Sequence, residues 1–502
     1  MIPITRRQLL SGAFGLAAGA TLAACGSSSL GTAGGLGPIP ATPTTGQTRS
    51  FALRARRTEV DLGGKVVSTW AYGDTVPGKP LRANVGDRVK VAFANDLPEP
   101  TSVHWHGLAI RNDMDGVPMV TTPEVAAGSN FDFDFVVPDA GTHWFHPHTG
   151  LQIDHGLYAP FIVDDPAEPG AYDHEWIIVL DDWTDGVGDT PEQLLAKLQS
   201  DAGGQASGDA GRSGMGMGGM QMGGGGGSGA SEMSGMSGMD GGDVTYPLYL
   251  INGRSSTDPE VFTAKPGQKV RLRIINAGAD TIFTLALGGH ELRVTHTDGF
   301  PVEPVTTTAL TIAMGERYDA MVTFKDGVFP LVAEPVSKTG SARALIRTGS
   351  GAVPAMANRP SELDAYPLAV SALSVANGHA LASRQPDSVQ DLVLTGSMRP
   401  YEWKINGRTY ADTVPLTIRA GQAGRLNIRN HSMMPHPIHL HGHTFQLGPA
   451  GGSGPRKDTV LIPAMGRTSV DFAATNPGKW MVHCHNAYHA EAGMMTRLEY
   501  AD

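Results

Sequence analysis

Twelve residues of this chain have the types and spacings of metal chemistry. Four His-x-His pairs occur: His104/His106, His146/His148, His439/His441 and His483/His485. In a β-strand, residues i and i+2 face the same side, so each pair presents two imidazoles side by side. Neutral imidazole suits copper, and eight such ligands suffice for three ions that keep open positions for oxygen. Cys484 lies between the last two histidines and points to the opposite face. With His436, His489 five residues on and Met494 ten on, it makes a His₂Cys set with a weak axial thioether, the donors of an electron-transfer copper site. Met495 is the alternative thioether, with Met494 then a core residue; the ten-residue spacing favours Met494. Alternation along the strand therefore hangs one copper on Cys484 and gives its two neighbours to an oxygen-reducing cluster. The counterpart of Cys484 after His146 is Pro147, so only one thiolate site is expected.

These pairs need elements that hold them, and internal repeats supply them. The stretches 84–95, 265–276 and 419–430 each read as a Gly turn, an alternating strand, and an Asn nine residues after the Gly. Ile251-Asn-Gly-Arg254 recurs as Ile405-Asn-Gly-Arg408 at the same 154-residue offset that separates Gly267 from Gly421. Nine residues beyond each Asn come His104-Trp105-His106, Leu285-Ala286-Leu287 and His439-Leu440-His441. Five residues after Gly141, Gly327 and Gly478 come His146-Pro147-His148, Val332-Ala333-Glu334 and His483-Cys484-His485. The middle copy reads as the same unit without a metal site. Short turn-punctuated strands predict an all-β chain of three consecutive Greek-key β-sandwiches. Their expected bounds are 51–165, 172–350 and 385–502.

Length and composition agree with this reading. The chain has 502 residues, of which 65 are Gly, 35 are Pro and 17% are charged, which suits turn-rich β structure in about three domains. A net charge of −11 argues against nucleic acid as a partner. Residues 1–25 read as an export signal: Arg6-Arg7 has the twin-arginine pattern, and Leu22-Ala-Ala-Cys25-Gly resembles a lipobox with Cys25 as the lipid-anchor site. The Gly/Ser/Thr/Pro-rich stretch 26–50 reads as a flexible tether. With two cysteines in the chain there is no disulfide framework. Residues 203–242 form a Gly/Ser-rich insert carrying Met215, Met217, Met220, Met222, Met233, Met236 and Met239. Thioethers select Cu(I), so the insert is a candidate copper-collecting arm.

His-Trp-His-Gly, Trp-Phe-His-Pro-His, His-Pro-Ile-His-Leu-His-Gly-His and His-Cys-His-x₃-His-x₄-Met together resemble the four copper motifs of three-domain multicopper oxidases, the laccases and exported bacterial cuprous oxidases. The resemblance spans essentially the whole mature chain and is strongest to the actinobacterial lipoprotein type of copper resistance. It implies three cupredoxin-like domains and four coppers. His436, Cys484 and His489 would bind type 1 copper with Met494 axial, and His104 and His439 would bind type 2. His106, His146, His148, His441, His483 and His485 would bind the type 3 pair. It also implies that Asp115 helps supply protons to the cluster. Glu491 matches the Glu of the laccase-like His-x-Glu-Ala-Gly pattern, whereas many bacterial relatives place the acid where this chain has Ala490; a structural role suits it equally.

Of the remaining histidines, His143 lies three residues before His146 and so on the other strand face, and is not expected to be a ligand. Met433 and Met434 flank the type 1 loop and are candidates for lining a substrate path. The expected function is four one-electron oxidations coupled to reduction of O₂ to water. Cu(I) is the expected substrate, with Fe(II) or phenols also accepted, in a lipid-anchored monomer of the cell envelope. The alternatives are a laccase acting mainly on phenols and a copper-binding electron relay without oxygen chemistry.

Overall fold

The computed structural model describes residues 44–168, 170–200 and 241–501. The twin-arginine segment, Cys25 and the seven insert methionines lie outside the described residues. The regular structure is mostly β-strand with few helices, arranged as three consecutive pairs of sheets. Each sandwich opens with a long strand paired in parallel to the strand after its Gly turn: Thr48–Asp61 with Arg88–Asn95, His174–Trp183 with Lys269–Asn276, and Ser388–Met398 with Ala423–Asn430. The first strand begins at Thr48, inside the stretch expected to be tether. Its opening residues are polar and exposed, so composition alone gave them the look of a linker. One α-helix, Pro191–Ser200, precedes the insert.

The second sheet of each sandwich carries the repeated triplets. In the first sandwich His104 stands directly opposite His146, and in the third His439 stands opposite His483. In the middle sandwich the residue paired with Val332 is Ala286, one position beyond the count from Asn276. The Asn side chains show why. Asn95 and Asn430 each donate to the carbonyl four residues ahead, at Glu99 and Met434, but Asn276 reaches five ahead, to Thr281. The middle loop is therefore one residue longer. Left-handed glycines confirm the shift, since Gly107, Gly442 and Gly289 follow the three triplets. The middle counterpart of His-x-His is thus Ala286-Leu287-Gly288, not Leu285-Ala286-Leu287, and a one-residue slip exchanges the two faces of a strand. Glu334 of the second triplet pairs with Arg359 instead.

Alternation also explains where the core lies. Trp105, between His104 and His106, is fully buried inside the first sandwich against Phe133, Phe135, Phe145 and Phe161. Leu440 and Cys484 do the same in the third. The histidines on either side of them face the other way, so those of the first and third sandwiches meet.

Candidate copper centres

The eight paired histidines converge from the two sandwiches. The rings of His104 and His441 stack at 3.7 Å, and those of His106 and His439 at 3.9 Å. His483 Nε2 lies 3.0 Å from His441 Nε2 and 3.3 Å from His148 Nε2. His485 Nε2 lies 3.4 Å from His146 Nε2. All are buried except His148, which is half-buried.

Most rings are held by one nitrogen, which leaves the other aimed inward. Nδ1 donates to a backbone carbonyl in His104 (Asp115, 2.9 Å), His146 (Pro147, 2.9 Å), His439 (Asp458, 2.8 Å) and His483 (Cys484, 2.8 Å). His441 Nδ1 donates to the Asp115 carboxylate at 3.0 Å, and His106 is held through Nε2 by Asp458 at 3.1 Å. The opposite nitrogens of His104, His106 and His439 are buried with no hydrogen-bond partner among the described residues, as is Nδ1 of His485. A buried polar atom without a partner costs on the order of 1–3 kcal/mol, and a metal ion would satisfy it. Burial, then the charges of neighbouring histidines, hold His146, His148, His441 and His485 well below the usual histidine range, and His483 down to about 3. Neutral imidazoles offer lone pairs, so the donor set fits a copper cluster.

The second centre lies on the other face of the Lys479–Cys484 strand. Cys484 Sγ is 3.7 Å from Nδ1 of both His436 and His489, and those two nitrogens are 3.0 Å apart. The outer nitrogens are held by Ser432 Oγ at 2.7 Å and the Asp243 carboxylate at 2.9 Å. Asn486 accepts from the backbone N–H groups of Tyr488 and His489 and so caps the short helix Ala487–Glu491 that presents His489. Met494 is fully buried there, with its carbonyl accepting from Cys484 N–H and its N–H donating to the His489 carbonyl. Three convergent donors of His₂Cys type fit one copper.

Asp115 lies where the histidine pairs of both sandwiches can use it. Glu491 does not, being exposed and making no hydrogen bond to any of these histidines. His143 is buried, and among the described residues its ring nitrogens have no hydrogen-bond partner and it joins none of the convergent groups. Met434 is buried, whereas Met433 is exposed. Three supporting carboxylates and hydroxyls escaped the sequence reading: Asp458, Asp243 and Ser432. Only Asp458 carries a local signal, a Lys-Asp pair opening the apolar run Thr459–Ile462.

Family models described as multicopper oxidase match residues 54–168, 174–351 and 383–502. The chain is 48% identical to multicopper oxidase MmcO of Mycobacterium tuberculosis over 97% of this chain and 95% of that one. It is 28% identical to copper resistance protein A of Escherichia coli, covering 90% and 92% of the two chains. It is 26% identical to laccase-2 of Botryotinia fuckeliana, covering 90% and 82%. Among solved structures, the Botrytis aclada laccase superposes with a TM-score of 0.73 at 25% identity, covering 91% of this chain and 88% of that one. Fet3p, a multicopper oxidase that functions in iron import, superposes at 0.75 with 21% identity and 90% of both chains covered, a likeness of fold.

Proposed function

The chain belongs to the multicopper oxidase family, and from that premise we propose that it oxidises Cu(I) at the Cys484 centre and reduces O₂ to water at the histidine cluster. It is an oxidoreductase that uses copper and O₂. The observation that carries the proposal is the triplet His483-Cys484-His485. Cys484 joins His436 and His489 on one face, while His483 and His485 face His441, His148 and His146 on the other.

In this reading His436, Cys484 and His489, with the thioether of Met494, would hold type 1 copper. His104 and His439, whose inward Nε2 atoms lack partners, hold type 2. His106, His146, His148, His441, His483 and His485 hold the type 3 pair. When bound, copper would supply the one-electron chemistry by which O₂, with four electrons and four protons, becomes two waters. The protein fixes the rest. The bond from His483 Nδ1 to the Cys484 carbonyl ties the two centres together beside their covalent link. Asp115 touches His104 through its carbonyl and His441 through its carboxylate, which supports a part for it in proton supply to the cluster.

Cu(I) as substrate is supported by thioethers near the type 1 loop. Met433 and Met465 are both exposed, and Met465 N–H donates to the carbonyl of Ser432, whose hydroxyl holds His436. Soft sulfur suits Cu(I), and relatives carry copper-resistance names. A phenol-oxidising reading has its own observation. A cavity of about 900 Å³ lined by Leu368, Val370, Leu447, Ile462 and Met465 borders the strand paired with His436. Fe(II) is a further candidate reductant. We also place the signal at 1–25, the tether ahead of the first strand, and a Cys25 lipid anchor in the cell envelope; no helix of the described residues is long and apolar enough to cross a membrane.

Kinetics of O₂ uptake with Cu(I) and with a phenol, in the intact chain and after deletion of residues 212–239, separate these readings. Selective loss of Cu(I) turnover supports the methionine arm. Absence of O₂ uptake with either reductant in copper-loaded protein would sink the oxidase reading.

A further inference from the structure

Arg317 belongs to the middle sandwich, on the strand Arg317–Thr323, yet its guanidinium is fully buried against the other two. Nε donates to the carbonyl of Thr142 in the first sandwich at 2.9 Å, and Nη1 donates to the carbonyl of Gly315 at 3.1 Å. Nη1 and Nη2 donate to the two oxygens of Asp458 in the third sandwich, at 2.7 and 2.6 Å. The same Asp458 carboxylate accepts from His106 Nε2 at 3.1 Å and lies 3.5 Å from His439 Nδ1. One carboxylate thus touches a histidine from each copper-binding sandwich, and its plane is set by a paired donor from the sandwich between them. Two parallel N–H···O bonds fix a carboxylate in orientation as well as position, which a single donor does not.

The surrounding backbone is shaped to this arrangement. A Cβ on Gly107, the residue after His106, would fall 2.3 Å from Arg317 Nη2. A Cβ on Gly315 would fall 2.8 Å from His485 Cδ2 and 3.1 Å from His106 Cε1. Both glycines have left-handed φ, +85° and +84°, which side chains other than glycine rarely adopt. The sandwich that carries no ligand therefore forms a wall of the cluster.

We propose that Arg317 is a positioning residue of the oxygen-reducing site, through which the middle sandwich orients His106 and His439 by way of Asp458. The proposal rests on the assignment of the histidine cluster to copper. Its rival is a strut that merely joins the sandwiches, but the interface has other joints. Lys457 meets Asp298 and Glu316 at 3.1 and 3.2 Å, and Arg273 donates to Thr142 Oγ1 at 2.9 Å.

The test compares Arg317→Met and Arg317→Lys with the intact chain, all copper-loaded, by type 2 electron paramagnetic resonance, copper content and steady-state kinetics. Arg317→Met should keep the blue absorption of the Cys484 centre, which reports a folded third sandwich. It should shift the type 2 hyperfine coupling and lower kcat by about 10–100-fold, with KM for the reductant unchanged. Arg317→Lys, with the charge but not the fork, should show a smaller shift of the same kind. A wild-type type 2 spectrum and kcat in Arg317→Met, whatever its melting temperature, would overturn the proposal. If that variant does not fold, Arg317→Lys decides alone, and an unchanged spectrum overturns it. Failure of the intact chain to load the cluster would instead count against the copper assignment.

Discussion

The carboxylate of Asp243 accepts a hydrogen bond from Nε2 of His489 at 2.9 Å, and both side chains are buried. Tyr401 donates to the same oxygen at 2.7 Å, and the Asp243 N–H donates to Asp280 at 3.0 Å. His489 is thus clamped, with Nδ1 toward Cys484 and Nε2 toward an acid at the returning end of the methionine-rich insert. Asp243→Ala should keep the blue absorption, because the three donors remain. It should lower kcat/KM for the reductant by about 10–100-fold, as loss of a ligand's outer partner does. Unchanged kcat/KM would show that this edge of His489 plays no part in taking up electrons.

Asp115 makes a different prediction. Its carboxylate accepts from His441 at 3.0 Å, while its other oxygen, Oδ1, is buried 3.3 Å from His104 Nδ1. Asp115→Asn keeps an oxygen for His441 but cannot carry a proton, so copper content should hold while O₂ uptake falls at least about 100-fold. Glu491→Gln should leave turnover unchanged, since Glu491 is exposed and bonds none of these histidines. Equal rates for Asp115→Asn and the intact chain would remove Asp115 from proton supply.

Gly315→Ala adds one carbon where His485 and His106 already close the space. The copper content of the cluster should fall while the blue centre persists, since Cys484 faces the other way. Full loading with unchanged type 2 resonance would show that the loop can yield.

In the copper-free protein the buried histidines should contribute most to stability near pH 6.5. Burial lowers the pKa of His143 and His483 to about 3 and of His443 to about 4. Below the ordinary value of 6.5 the unfolded chain takes up protons that the folded chain refuses. Stability therefore falls as pH drops from 6.5 toward 4, by up to ~1.4 kcal/mol per pH unit for each such histidine. His155 and His489 act in the opposite sense. Burial lowers their pKa, but Asp185 and Asp243 outweigh it and raise them to about 9 and about 10. Their contribution is complete below 6.5 and is lost as pH rises through those values. Urea midpoints of the copper-free chain at pH 5, 6.5 and 8.5 check this, and a steady rise from 5 to 8.5 would contradict it.

Sequence by itself determined which way the histidines and Cys484 face. His-x-His on a strand must put both imidazoles on one face, and a Cys between two histidines must face the other way, because strand periodicity is 2. Three Gly-to-Asn repeats placed those strands in equivalent sandwiches without any coordinates. What the chain could not show locally was the one-residue-longer loop after Asn276, because counting residues assumes equal loops; only the pairing of Ala286 with Val332 exposed it. Nor could it show which groups hold the donors still. Asp458 stands 352 residues from His106, Arg317 is 141 residues from Asp458, and Asp243 is 246 from His489. Arg317 and Asp243 are single charged residues without periodicity or motif, and the Lys457-Asp458 pair names no partner at such a separation. The fold brings them together because three sandwiches bury their faces against one another, and a buried charge persists there only where it finds a partner.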